Sequence, residues 1–221
     1  MSETKYNKTV FDWDHFLLYL CGPIDFDPTG GTGWRVEWTE GLIDIGFKRK
    51  QILSPTKKPL SGTSFDLDNE AELIRACRDK EDYDGLEEVM GAIMHIDLRL
   101  VDKSDLILVR FPLDKNGNRV FTFGTIHEIV VARQQHKPVL VVWDGGKKTA
   151  SGWLMKLVGH RNVFGTFEEV KEHLKCVANG EAAFNAKDWL LLDFDKNYKQ
   201  RKANSQNKER MIKYGTNCPS V

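Results

Sequence analysis

The sequence predicts an α/β protein built on a parallel sheet, and the middle of the chain gives the strongest indication. The apolar run 105–109 is followed by a glycine-bearing turn, a helical pattern at 126–136 and a second apolar run at 138–143. A strand, a helix and a second strand in this order form a βαβ unit, since parallel strands need a crossover connection. A separate apolar run at 16–21 predicts a buried first strand.

The remaining pattern completes a sheet of about five strands. Short strands are predicted at 51–55 and 162–164, and further helices at 34–45, 68–80, 85–101, 153–158 and 166–178. The α/β domain is predicted to cover 16–180, after an N-terminal segment at 1–15 and before a C-terminal extension at 181–221. The polar composition of that extension predicts partial mobility.

Charge and composition exclude several classes of protein. The 221 residues carry 32 basic and 32 acidic side chains, and a balanced charge argues against a nucleic-acid binder. No apolar run of about 18 residues occurs and the start of the chain is polar, so neither a membrane span nor a signal peptide is predicted. Four isolated cysteines, with no CxxC pair, predict reduced thiols in a cytoplasmic protein. They are Cys21, Cys77, Cys176 and Cys218. No metal site and no cofactor are expected.

Glu128 stands out because of its place in the βαβ unit. The loop before the central helix lies at the carboxyl edge of the sheet, where open α/β folds bind ligands. One interpretation is structural: Thr125-x-x-Glu128 matches a capping box, and a carboxylate suits the positive end of a helix. The other interpretation is chemical, with the carboxylate facing a ligand site. Both fit the local pattern.

Two further positions carry a similar choice. Arg35 falls in the first turn of the predicted helix 34–45, where its charge opposes the helix dipole. That misfit favours a nearby anionic ligand, although a solvated arginine fits equally well. Asp97 adjoins the apolar stripe of the helix 85–101, so it is either a boundary residue facing water or a site residue facing the sheet edge.

Several short strings occur in an order that is more specific than any one of them. They are Tyr19-Leu20-Cys21-Gly22-Pro23-Ile24, Trp34-Arg35, Asp97, 103–109, Gly124-Thr125-x-x-Glu128, Ala132 and 137–139. Together, over about residues 16–145, they resemble the nucleoside 2-deoxyribosyltransferase-like superfamily, which includes the related deoxynucleoside 5′-monophosphate N-glycosidases. The resemblance implies a flavodoxin-like doubly wound parallel sheet in a single domain.

The resemblance also implies roles for individual residues. Glu128 corresponds to the family nucleophile, which attacks the anomeric carbon of the sugar and forms a glycosyl ester. Asp97 corresponds to the acid that protonates the departing base or orients the glutamate, and Tyr19 to the tyrosine that touches the nucleophile. The implied substrate-binding residues are Gly22, Pro23, Asp25, Trp34, Arg35, Thr122, Gly124 and Thr125.

Thr122 lies six residues before Glu128, at a position where the residue type differs with the substrate of the family member. Enzymes acting on free nucleosides tend to have an aspartate there, and those acting on 5′-monophosphates tend to have a serine. A hydroxyl can donate to a phosphate without charge conflict, and Arg35 and the glycine loop 30–33 also suit a phosphate. The other interpretation is a strand-end threonine with good β propensity.

The expected function is cleavage of the N-glycosidic bond of a (deoxy)nucleoside or nucleoside 5′-monophosphate, with transfer of the sugar to another base or to water. The alternative is a catalytically silent nucleotide-binding module of the same fold. The resemblance also implies a homo-oligomer. Its interface would use the apolar residues Trp153, Leu154, Leu157 and Trp189, which equally suit a second-layer core.

Overall fold

The computed structural model describes residues 16–24, 29–56, 70–179 and 181–182. Within them lies one five-stranded sheet in the order β2-β1-β3-β4-β5 with every pairing parallel. The strands are β1 (Leu18–Cys21), β2 (Ile52–Leu53), β3 (Leu106–Phe111), β4 (Val139–Trp143) and β5 (Val163–Phe164). This order is that of flavodoxin-like folds, so the predicted fold class is confirmed.

Helices cover both faces of the sheet. In the described part of the chain they are α1 (Thr32–Asp44), α2 (Glu70–Asp79), α3 (Tyr83–Lys103), α4 (Phe123–Gln134), α5 (Gly152–Val158) and α6 (Phe167–Ala178). Side chains of α3, α4 and α5 form one core with the sheet, and those of α1 and α6 form the other. The α2 helix packs on α3 through a smaller apolar cluster.

Strand β1 shows how the sequence produces the two cores. Its four side chains are all fully buried. Because successive side chains of a strand point to opposite faces, Tyr19 and Cys21 join the core under α3 and α4, while Leu18 and Leu20 join the core under α1. An unbroken apolar run is therefore the pattern that a strand covered on both faces requires.

The start of α4 differs from the prediction. The helix begins at Phe123, three residues earlier than expected, and its N-cap is Thr122, whose backbone is extended (φ −127°, ψ 144°). Thr122 Oγ1 accepts a hydrogen bond from the Thr125 amide at 3.3 Å. Thr125 thus lies inside the helix. The capping-box interpretation of Thr125 and Glu128 is wrong.

Several sequence predictions fall outside the described residues. These are the segment 1–15, the start of the helix at 68, Asp25, Trp189 and the extension beyond 182, so the domain boundaries stay a prediction. Cys21 and Cys77 are free thiols, as expected, whereas Cys176 is disulfide-bonded, which corrects the expectation that all four thiols are reduced. None of the described helices has the length and apolar character needed to cross a membrane.

Candidate active site

The candidate site lies where the order of the strands changes direction along the chain. Strand β1 is flanked by β2 and β3, and the helices that follow β1 and β3 pack on opposite faces of the sheet. Ligands of open α/β folds bind in the crevice at the carboxyl ends of strands at such a switch point. Cys21, the last residue of β1, and the first turns of α4 both lie at this edge.

The carboxylate of Glu128 is the centre of the site. The side chain is only 7% exposed, and both of its oxygens have a donor on β1. The Tyr19 hydroxyl donates to Oε1 at 2.5 Å, and the Cys21 thiol donates to Oε2 at 2.9 Å. Tyr19 and Glu128, which the resemblance places in contact, are thus hydrogen-bonded across 109 residues of sequence.

Cys21 was not predicted from the sequence to be a site residue. It stands two positions after Tyr19 on the same strand, so both side chains point to the same face of the sheet. Its sulfur also lies 3.9 Å from the Thr125 carbonyl oxygen. The signal was therefore present: a tyrosine assigned to the site implies that its i+2 neighbour on the strand faces the site too.

Electrostatics keep both donors protonated. Burial, followed by the charge of Glu128, raises the pKa of the Tyr19 phenol and of the Cys21 thiol well above their ordinary values. Each group therefore retains its proton at neutral pH and acts as a donor to the carboxylate. The site is a carboxylate held by two neutral donors in a medium of low dielectric constant.

Asp97 belongs to the same electrostatic environment. It is half-buried on α3, three and four residues before Leu100 and Val101, which pack in the core under that helix. Its negative charge is a further cause of the raised pKa of Tyr19 and Cys21. The role of Asp97 as a site residue facing the sheet edge stays a prediction.

The Arg35 side chain is buried among backbone carbonyl groups and is not solvated. The side chain is 2% exposed, and burial lowers its pKa. Its guanidinium donates to the carbonyl oxygens of Gly22 (2.7 Å), Gly31 (2.7 Å), Leu20 (3.3 Å) and Pro23 (3.4 Å). Arg35 thus ties the end of β1 to the glycine loop, and the predicted direct contact with phosphate finds no support in this arrangement.

Trp34 and two glycines complete that support. The Trp34 ring is 5% exposed and lies under the Arg35 guanidinium, whose Cζ is 4.2 Å from the ring centroid. A Cβ at Gly22 would come within 2.8 Å of the Trp34 ring. Gly31 has φ +73°, and a Cβ there would meet the Pro23 carbonyl oxygen at 2.7 Å. Trp34 packs beneath the loop, and its predicted contact with substrate stays a prediction.

The other predicted binding residues lie at the N-terminus of α4. Thr122 and the buried Thr125 share a hydrogen bond between their hydroxyl oxygens at 2.7 Å. Gly124 is exposed, and open space surrounds the position of a Cβ there. Thr122 is therefore a helix cap rather than the strand-end residue of the alternative interpretation.

A cleft of about 420 Å³ is lined in part by Phe121, which precedes Thr122 in the chain. It is lined by Leu113, Gly117, Arg119, Phe121, Trp143, Gly145, Thr149 and Ser151. The turn at 114–118 contributes Gly117 to this cleft. Tyr19 and Glu128 do not line it, so it is a neighbour of the carboxylate site and not the same place.

Among the residues that the structure describes, no group of three or more His, Cys, Asp or Glu side chains is suited to hold a metal ion. Comparison of the sequence with protein-family models found no match, and comparison with curated proteins found none either. The geometry of Glu128 and its neighbours therefore carries the functional argument.

Proposed function

We propose that the chain cleaves the N-glycosidic bond of a (deoxy)nucleoside or nucleoside 5′-monophosphate, with Glu128 as the nucleophile. One observation carries the proposal: a buried carboxylate at the switch point is hydrogen-bonded at both oxygens by Tyr19 and Cys21. Burying a charged group is unfavourable unless it is well paired, and the site pairs it with neutral donors. Such a carboxylate is poised to meet positive charge that develops on a sugar.

The proposed reaction has two steps. In the first, a lone pair of Glu128 forms a bond to the anomeric carbon while the carbon–nitrogen bond breaks, and its electron pair leaves with the base. Asp97 takes up a proton from solvent before this step and gives it to the departing base. In the second, water or another base attacks the anomeric carbon, the ester bond breaks and the Glu128 carboxylate is restored. The proton lost by the attacking water, or by the N–H of the attacking base, passes to Asp97.

A panel of nucleosides and 5′-nucleotides, incubated with the protein and analysed by chromatography for released base, tests this proposal. Release of free base indicates hydrolysis, and a new nucleoside in the presence of a second base indicates transfer. Binding of a nucleotide without turnover would instead support the silent module. That alternative gives no reason to bury a carboxylate between Tyr19 and Cys21.

The substrate is proposed to carry a 5′-phosphate, and Thr122→Asp tests this. The Thr122 hydroxyl lies at the N-terminus of α4, where free amides and the helix dipole favour an anion. We expect kcat/KM for a 5′-monophosphate to exceed that for the matching nucleoside by about tenfold or more. Thr122→Asp should reverse this ratio, because a carboxylate repels phosphate but accepts from a 5′-hydroxyl.

The cap geometry makes this test clean. Aspartate is as good an N-cap as threonine, so α4 should keep its start in the variant. Thr166 caps α6 in the same way, accepting from the Glu169 amide at 3.3 Å, and Thr166→Asp is the matched control, in which the ratio should not change. A parent that prefers the nucleoside, or a ratio that Thr122→Asp leaves unchanged, contradicts the assignment.

We further propose that the chain forms a homo-oligomer through a surface that includes Trp153, which is 84% exposed. Of the other residues predicted for the interface, Leu154 is buried in the core and Leu157 packs against it. Light scattering should give a mass above that of the monomer at micromolar concentration, and Trp153→Ser should lower it. Tyr83→Ser, at another exposed aromatic residue (67%), should have no effect. A monomeric parent would refute this proposal.

A further inference from the structure

The two oxygens of Glu128 receive hydrogen bonds of unequal strength. A phenol that donates to a carboxylate at 2.5 Å makes a strong, charge-assisted bond, and this is the bond at Oε1. A thiol is a weak donor, and it faces Oε2 at 2.9 Å. Oε1 therefore shares more of its charge with its donor, and Oε2 keeps the more available lone pairs.

The same two contacts fix the orientation of the carboxylate. Tyr19 and Cys21 are fully buried on β1, which is paired with β2 on one side and with β3 on the other. Donors held on a central strand have little freedom to move. Because each oxygen accepts from a donor on β1, rotation of the carboxylate about its terminal bond would break both of these hydrogen bonds.

We infer that Cys21 is a positioning residue that presents Oε2 of Glu128 as the attacking oxygen; the inference rests on the proposed function. As Oε2 forms its bond to the anomeric carbon, the S–H···Oε2 contact breaks and the proton stays on sulfur. The electron pair of the carbon–nitrogen bond leaves with the base. Oε1 becomes the carbonyl oxygen of the ester and keeps its hydrogen bond from Tyr19. A weak donor suits this role because little energy is lost when it is released.

The contact is tested without turnover by infrared spectroscopy of the S–H stretch. Cys77, a free thiol on α2, provides the reference in the same molecule. The bands are assigned by their loss in Cys21→Ala and Cys77→Ala. We expect the Cys21 band at lower frequency than the Cys77 band, and Glu128→Gln should raise the frequency of the Cys21 band alone. A Cys21 band that does not respond to Glu128→Gln overturns the inference.

The positioning role is tested by kinetics with two variants of the same residue. Cys21→Ser puts a stronger donor on Oε2, which should lower kcat about tenfold or more with little change in KM. Activity should fall at low pH as Glu128 becomes protonated, and this fall is the acid limb of the pH–rate profile. Cys21→Ser should move the acid limb to lower pH, because a hydrogen bond to the charged form of Glu128 favours its ionisation. Cys21→Ala removes the donor and should move that limb to higher pH. The charged and titratable groups Tyr19, Asp97 and Arg35 around the carboxylate are unchanged in both variants.

The outcomes separate this inference from the proposed function. Opposite shifts of the acid limb support positioning, because a residue with only a packing role would not move the limb in both directions. Shifts in one direction only, or no shifts, overturn it. A parent that turns over neither nucleosides nor nucleotides refutes the proposed function and the attacking role of Oε2 with it. The infrared comparison then still decides whether Cys21 holds that oxygen.

Discussion

Glu128→Gln is expected to lower kcat/KM for glycosidic cleavage by at least about 10³, the order expected when a group acting in covalent catalysis is lost. The amide keeps the size of the side chain and can still accept from the Tyr19 hydroxyl through its oxygen. It lacks the negative charge that forms the ester and stabilises an oxocarbenium-like transition state. The loss should therefore appear in the chemical step, measured as the rate constant of a single turnover.

Stability and a second glutamate provide the controls for this result. The free energy of unfolding of Glu128→Gln should change by about 1 kcal/mol or less, since one neutral hydrogen bond is of that size. Glu168→Gln, in the first turn of α6, should retain full activity, because this residue is exposed and lies outside the site. Normal turnover by folded Glu128→Gln would refute the nucleophile assignment.

Arg35→Met is expected to lower the free energy of unfolding by about 3 kcal/mol or more. The substitution retains the apolar bulk over Trp34 but removes the donors to four buried carbonyl oxygens, and an unsatisfied buried acceptor costs about 1–3 kcal/mol. The end of β1 and the glycine loop would lose the group that joins them. Urea denaturation followed by circular dichroism measures the effect.

Arg49→Met is the matched control for Arg35→Met. Arg49 also forms a charged contact, a 2.5 Å ion pair with Glu40, but its side chain is 57% exposed. Exposed ion pairs contribute about 0–1 kcal/mol, so this variant should unfold at nearly the parent urea concentration. Equal effects of the two substitutions would contradict the proposed part that Arg35 plays in holding the loop.

Two threonine–glutamate pairs show what a local sequence pattern can and cannot predict. Both Thr125-x-x-Glu128 and Thr166-x-x-Glu169 match a capping box in the sequence. At α6 Thr166 is the N-cap: it accepts from the Glu169 amide, and Glu169 accepts from the amide of Gly165, the residue before the cap, at 2.7 Å. At α4 the predicted cap is wrong, because Thr122 caps the helix and Tyr19 and Cys21 bind the Glu128 carboxylate. The two motifs are alike in local sequence, and they differ because distant residues on β1 bind the Glu128 carboxylate.

The sequence by itself determined the five-stranded parallel sheet and its two helical layers. Unbroken apolar runs require cover on both faces, and helical spacing between them supplies that cover, so both features are local in the chain. The partners of Glu128 and Arg35 were decided only by the tertiary structure. The contacts of Glu128 join residues more than 100 positions apart, and those of Arg35 go to backbone carbonyls, which every residue type carries. Composition and periodicity contain no record of such contacts, because they depend on where the folded chain brings its strand ends together.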